Sequence, residues 1–241
     1  MTFSSLTSCS TSNKQEQPES QAEPAPVSII VEYHPGDRVP DDYLAQQNVD
    51  SFFQSVAIPD TIFELMQGKT FKANCTIARE GLRYLLCLHR DKDGQAFVGE
   101  MIVNVSIADD VLSILHQLYD ASYPIERMRL PDYWDADDER LMADNNSSSF
   151  NFRFISHTSI VSKHGLGTAV DINPLYNPYH KILKSGKEVI EPVIGKPYLD
   201  RSKDFDYKIE KGDLCYRLFK AKGFKWGGDW PDRKDYQHFE L

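Results

Sequence analysis

Two short motifs far apart in the chain constrain its fold more than any other feature. Ser-Lys-His-Gly-Leu-Gly-Thr-Ala-Val-Asp occupies residues 162–171, and the chain ends in Asp-Tyr-Gln-His-Phe-Glu-Leu. His164 and Asp171 sit seven positions apart, and His238 lies close to the terminus. Two imidazoles and one carboxylate close three corners of a tetrahedral zinc site and leave the fourth for water. Asp235, three places before His238, is then a candidate to take a proton from that water. A fold that serves this chemistry must bring the two motifs together.

Local patterns suggest how. A strand over residues 168–172 puts Gly167, Ala169, Asp171 and Asn173 on one face and turns Val170 and Ile172 to the core. Gly167 and Ala169 have minimal volume, which leaves clearance beside Asp171, and Gly165 and Gly167 let the chain bend so that His164 swings back. In a terminal strand, Tyr236, His238 and Glu240 share a face. Asp235 has the opposite parity, so its role requires a turn or bulge before the strand.

Elsewhere, Val27–Tyr33 is expected as a first strand and Asp60–Met66 as a short helix capped by Asp60. Leu82–His89 and Gln95–Val103 flank Asp91-Lys-Asp-Gly94, a hairpin signal. Asp109 is expected to cap an amphipathic helix with Val111, Ile114, Leu115 and Leu118 on one face. The acidic run Asp132–Glu139 reads as a solvated loop, and the chain is expected to stay polar through Asp144–Ser149. Strand character follows at Phe150–Ile155, then a long loop marked by Pro174, Pro178 and Gly186. Asp213 caps a helix to about Ala221, with Leu214, Leu218 and Phe219 inward and Gly223 as its stop. The mixture lacks a βαβ rhythm, which points to an α+β fold with a largely antiparallel central sheet flanked by helices.

The chain has 241 residues and a formal net charge of −9, which disfavours a broad nucleic-acid surface. Cys9, Cys75, Cys87 and Cys215 lack the close pairing of a structural zinc knuckle. Cys75 and Cys87 could face each other across strands, but buried free thiols are the favoured reading. Leu-Thr-Ser-Cys at residues 6–9 has the pattern of a lipoprotein processing site without the usual basic, apolar leader. Residues 1–26 are expected to be a disordered tether with Cys9 as its candidate lipid attachment, and 27–241 one domain with a 27–131 N-terminal portion and a 132–241 core that carries the motifs. His34, His89, His116, His157 and His180 are read as ordinary surface or core histidines.

The pattern Ser-x-His-x-x-Gly-x-Ala-x-Asp followed by Asp-x-x-His resembles the zinc D-alanyl-D-alanine carboxypeptidase family, which also holds L-alanyl-D-glutamate endopeptidases. Asp144–Arg153 is similar to the stretch that delivers the family's active-site arginine, and Asp171–Tyr179 and Trp226–Trp230 look like family motifs. The resemblance implies a hedgehog/DD-peptidase-like fold with zinc in a cleft, held by His164, Asp171 and His238. It implies Asp235 as general base and Arg153 as the group that steadies the oxyanion. Many carboxypeptidase members carry Glu, with a Trp just before the last His, where this chain has Asp235 and Gln237; the Asp form is more like the endopeptidase branch.

The expected activity is therefore zinc-dependent hydrolysis of amide bonds in peptidoglycan stem peptides, by a monomer at the cell envelope. Ser162, Trp230 and Tyr236 are candidate substrate contacts, although Ser162 could equally orient its loop and the aromatics could be core. The competing reading is a non-catalytic, metal-bearing wall-binding module. A structural zinc domain is disfavoured, because such sites close all four positions, often with Cys, and no Cys lies near the motif.

Overall fold

The computed structural model describes residues 1–2, 32–155 and 158–241. The expected strand at Val27–Tyr33 falls largely outside them, as do Cys9 and most of the expected tether.

The first part of the chain builds a four-stranded antiparallel sheet from Arg38–Val39 (β1), Gln54–Val56 (β2), Leu82–Arg90 (β3) and Ala96–Asn104 (β4), in the order β1-β4-β3-β2. The β3–β4 hairpin turns at Gly94 with φ +77°, as the Asp-Gly signal requires. Helix Asp60–Met66 (α1) begins after Pro59; Asp60 makes no cap bond and instead pairs with Arg79 at 2.6 Å. Helix Ala108–Asp120 (α2) likewise starts one residue before Asp109, without a side-chain cap. Its Val111, Ile114, Leu115 and Leu118 are fully buried, as the apolar spacing requires.

Arg127–Met128 (β5) and Asn146–Ser147 (β6) form a parallel pair, with helix Asp138–Ala143 (α3) between them in sequence. The acidic run is solvated only in part: Asp135, Asp137 and Glu139 are exposed, but the segment is folded and its carboxylates are engaged. Asp132 is buried and accepts from the Thr70 amide and hydroxyl, Asp138 pairs with Arg153, and Glu139 accepts from the Val193 amide. Each carboxylate finds a donor, which offsets the cost of ordering it. Phe150–Ile155 forms no regular strand; Phe154 makes one isolated bridge to Val161.

The second part of the chain contains Ala169–Asp171 (β7), Tyr179–Ile182 (β8), Glu188–Glu191 (β9), helix Leu214–Ala221 (α4), Lys225–Trp226 (β10), Lys234–Asp235 (β11) and His238–Glu240 (β12). These strands form two antiparallel sheets, β10-β12-β7 and β11-β8-β9. The expected long loop after Pro178 is in fact the β8–β9 hairpin, turning at Gly186 with φ +81°. Asp213 caps α4 through the Tyr216 amide as expected, and Phe219 is fully buried while Leu214 and Leu218 are partly so. The mixture of helices with mainly antiparallel strands is the expected α+β class.

The main core joins the two portions. Leu85, Met101, Val111 and Leu118 pack in one cluster with Val170, Ile172, Phe219 and Phe239. Cys75, Cys87 and Cys215 are free thiols, the last two buried. Among the described residues no helix is long and apolar enough to cross a membrane.

Candidate metal centre

Strand register builds the centre. β12 lies antiparallel to β7 with His238 opposite Asp171, Phe239 opposite Val170 and Glu240 opposite Ala169. Residues directly opposite share a face. Val170 and Phe239 therefore enter the core together, and Asp171 and His238 emerge together on the other side. Ser148 bridges Asp171 from the opposite edge by a reciprocal pair of backbone hydrogen bonds.

His164 arrives from the loop before β7. That loop closes at Gly167, where φ is +69° and a Cβ would lie 2.8 Å from the Asn104 nitrogen, so only glycine fits without strain. Ser162 orients the same loop, since its hydroxyl accepts the Gly165 amide at 3.0 Å. Of its two sequence readings, this contact matches loop orientation.

Three donor atoms meet. His164 Nε2 lies 3.1 Å from His238 Nδ1 and 3.2 Å from Asp171 Oδ2, and His238 Nδ1 lies 2.9 Å from Asp171 Oδ1. The outer nitrogens show which atoms face inward bare. His164 Nδ1 is 2.7 Å from the Ser149 carbonyl, an obligate acceptor, so it carries the proton. His238 Nε2 lies 3.3 Å from a Glu240 carboxylate oxygen and donates in the same way. Neutral rings so arranged point two nitrogen lone pairs and a carboxylate at one another. That cluster repels itself unless a cation sits among the three groups or one ring takes up a proton.

A proton on His238 answers the same repulsion. Burial disfavours a charged His238, but its bonds to Asp171 and Glu240 overcome this and raise it to about 10. Burial likewise raises Asp171, but the His164 and His238 rings more than offset it and hold it far below the carboxylate range. A divalent ion with bonds of about 2.0–2.2 Å in tetrahedral geometry separates its donors by roughly 3.3 Å, close to the spacing seen. The outer contacts to Ser149 and Glu240 match the second layer that normally orients histidine ligands. The residues fit a zinc-like ion.

The break that Asp235 required on parity grounds is present. The chain bends at Tyr236 and Gln237 between β11 and β12, and Asp235 belongs to a different sheet from His238. Burial pushes the Asp235 carboxyl up to about 7; His238 opposes the shift and Asp171 adds to it, which puts both close by. One of its oxygens, Oδ1, is buried without a hydrogen-bond partner. Gly227 makes room for it, since a Cβ there would lie 2.7 Å from the Asp235 Cβ.

The same bend corrects the expectation that Tyr236 shares a face with His238. With Asp235 turned towards the centre, Tyr236 points away, under the Arg201 guanidinium at 4.5 Å and against the main core. Trp230 does lie beside the centre, its ring 5.4 Å from that of His238 and capped by Arg233. Arg153 is half-exposed and pairs with Asp138 at 3.0 Å.

Asp144–Ser149 is the polar stretch expected, and only Asp144 in it is exposed. Asn145 to Ser149 are all buried. Asn146 exchanges bonds with the Arg129 backbone, the Ser147 hydroxyl accepts the Asn173 amide, and the Ser149 hydroxyl donates to the Ala169 carbonyl. This polar seam holds β7 and presents the Ser149 carbonyl to His164. Sequence reading missed that carbonyl, which is backbone and leaves no residue signature. Glu240 was legible only as a residue of matching parity two places after His238. His89 is a core histidine bonded to the Ile125 carbonyl, His116 stacks on Phe53, and His180 pairs with Glu188. His157 lies outside the described residues.

Residues 156–241 match the family model described as D-alanyl-D-alanine carboxypeptidase. This supports the resemblance drawn from the motif residues and covers His164, Asp171, Asp235 and His238. No solved structure matches the chain.

Proposed function

We propose that this chain, related over residues 156–241 to the D-alanyl-D-alanine carboxypeptidases, is a zinc-dependent peptidase that hydrolyses amide bonds in peptidoglycan stem peptides. The observation that carries this reading is the convergence of His164 Nε2, Asp171 and His238 Nδ1 beside a buried, under-bonded Asp235 carboxyl.

The three residues would hold the ion. When bound, a zinc ion supplies Lewis acidity and a water acidified towards a pKa of about 7. Asp235 is the general base: it accepts a proton from the attacking water and returns it to the leaving amine. A buried carboxyl suits both steps, because burial raises its hold on the proton it accepts while leaving it acidic enough to give the proton back. Arg153 lends positive charge to the carbonyl oxygen as the amide is attacked, a contribution on the order of 3 kcal/mol for such partners. To do so it must share its guanidinium with Asp138 or leave it. Trp230 forms part of the wall beside His238.

The Asp235 and Gln237 pair favours endopeptidase cleavage over release of terminal D-Ala. The protein works at the cell envelope as a monomer, with Cys9 as the candidate lipid attachment. The alternative, a wall-binding module without turnover, leaves the under-bonded Asp235 without a purpose.

The test is to incubate zinc-loaded protein with purified muropeptides and weigh the products, with Asp235→Asn as control. Cleaved stem peptides are expected from the wild type, and turnover lower by about 10²–10⁴ in the variant at equal metal content. Binding of muropeptides without cleavage would support the alternative instead.

A further inference from the structure

The sheet that carries Asp235 carries a second carboxylate on the same face. In the β11-β8-β9 sheet Asp235 lies opposite Tyr179, and Tyr179 lies opposite Glu191. Residues directly opposite in antiparallel strands point to the same side. Asp235 is turned to the metal centre, so Tyr179 and Glu191 line the same approach. Two strand spacings separate Glu191 from Asp235, about 10 Å. That span suits a substrate residue one or two positions from the amide under attack.

Glu191 differs from Glu188 in having no ion-pair partner among the described residues; the Arg153 charge acts on it only from beyond bonding distance. Glu188, on the same strand, is met by Lys196 at 2.7 Å and by His180 at 3.0 Å. Across the approach, Asp138 is paired with Arg153, and Glu139 accepts the Val193 amide, which ties the chain just after Glu191 to α3. Glu191 is exposed and has no hydrogen-bond or ion-pair partner among the described residues. Its carboxyl is raised by burial of its surroundings and by Glu139 and Asp138, with Arg153 opposing, so acidic groups outnumber cations around it. A free carboxylate in such a position is complementary to a cation on the ligand.

We propose that Glu191 is a specificity residue that receives an ammonium group on the substrate, so that the protein selects peptides with a free side-chain amine near the amide to be cut. The inference rests on the peptidase reading and deepens it. Tyr179, between the two carboxylates, forms the floor over which that side chain runs. Arg153, on the facing wall, disfavours a cation at its own end of the approach and so sets the direction in which the peptide lies.

The experiment uses two synthetic stem-type pentapeptides, L-Ala-D-γ-Glu-L-Lys-D-Ala-D-Ala with the lysine amine free or acetylated. Cleavage by the zinc-loaded wild type, Glu191→Gln and Glu188→Gln is compared as the ratio of kcat/KM for the free over the acetylated peptide. Binding of both peptides is measured by calorimetry on Asp235→Asn, with and without Glu191→Gln. A wild-type preference of about tenfold or more is expected, expressed mainly in KM, as is a similar ratio of affinities. Both ratios should fall towards one in Glu191→Gln, while Glu188→Gln keeps the wild-type ratio. Equal cleavage of the two peptides by the wild type, with equal binding of both to Asp235→Asn, would overturn the assignment and leave the peptidase reading intact. A preference that survives Glu191→Gln would also overturn it. Amine-dependent binding lost with Glu191 but with no cleavage of either peptide would keep the subsite and sink the peptidase reading.

Discussion

At the scale of single residues, the centre depends on which nitrogen of each histidine faces inward. His164 is fixed by a backbone carbonyl that no substitution removes, but His238 is fixed by the Glu240 side chain. Glu240→Ala should therefore weaken metal binding by about 10–100-fold while leaving the three ligands in place. Competition with a chelator of known affinity reads this directly, and an unchanged affinity would show that Glu240 does not orient the ring. Asp235 poses a different problem, since its usefulness comes from burial rather than from a partner. Gly227→Ala tests it without touching any ionisable group. The added methyl meets the Asp235 Cβ at 2.7 Å and its carbonyl oxygen at 2.5 Å, so the base must shift. Turnover should drop by about a hundredfold, as expected for a displacement near 1 Å, with metal content preserved. Wild-type turnover in this variant would mean that the position of Asp235 is not critical.

At the scale of elements, the sequence was most legible where side-chain period and turn chemistry agreed. The β3–β4 hairpin, the apolar face of α2 and the Asp213 cap of α4 follow from local rules, and each stands where expected. Ligand spacing was legible too, because glycines and an alternating strand leave few ways to arrange His164 and Asp171. Misreadings arose where tertiary partners override local polarity. Polarity alone did not show that Asn145–Ser149 is buried, where its residues bond to Arg129, β7 or the segment beyond β7. The β8–β9 hairpin hid behind prolines that stand outside its strands. The side of the chain on which Tyr236 falls could not be read, because one bend resets the alternation. Strand β3 also carries an element-level pH signature. Burial lowers His89 to about 4, only partly countered by its bond to the Ile125 carbonyl. The unfolded chain, with a histidine near 6.5, binds the extra proton first as pH falls. Stability from the neutral ring is thus fully present above pH 6.5 and lost as pH falls towards 4, by about 3 kcal/mol. Denaturant unfolding of His89→Asn should show a shallower loss over that window than the wild type, and parallel curves would assign the acid sensitivity elsewhere.

At the scale of the molecule, both motifs are held by one shared core. Val170 and Ile172 of the first and Phe239 of the second pack with side chains from β3, β4 and α2. The portion before Pro131 therefore supports the strands that carry the ligands. A bound ion ties His164, on the loop before β7, to Asp171 and His238, so metal and fold stabilise each other. The most direct measurement is the zinc content of purified wild type and His238→Ala after dialysis against metal-free buffer, with folding of both checked by circular dichroism. About one zinc per folded wild-type chain and little in the folded variant is the expected result. Stoichiometric zinc retained by His238→Ala would contradict the assignment of the centre.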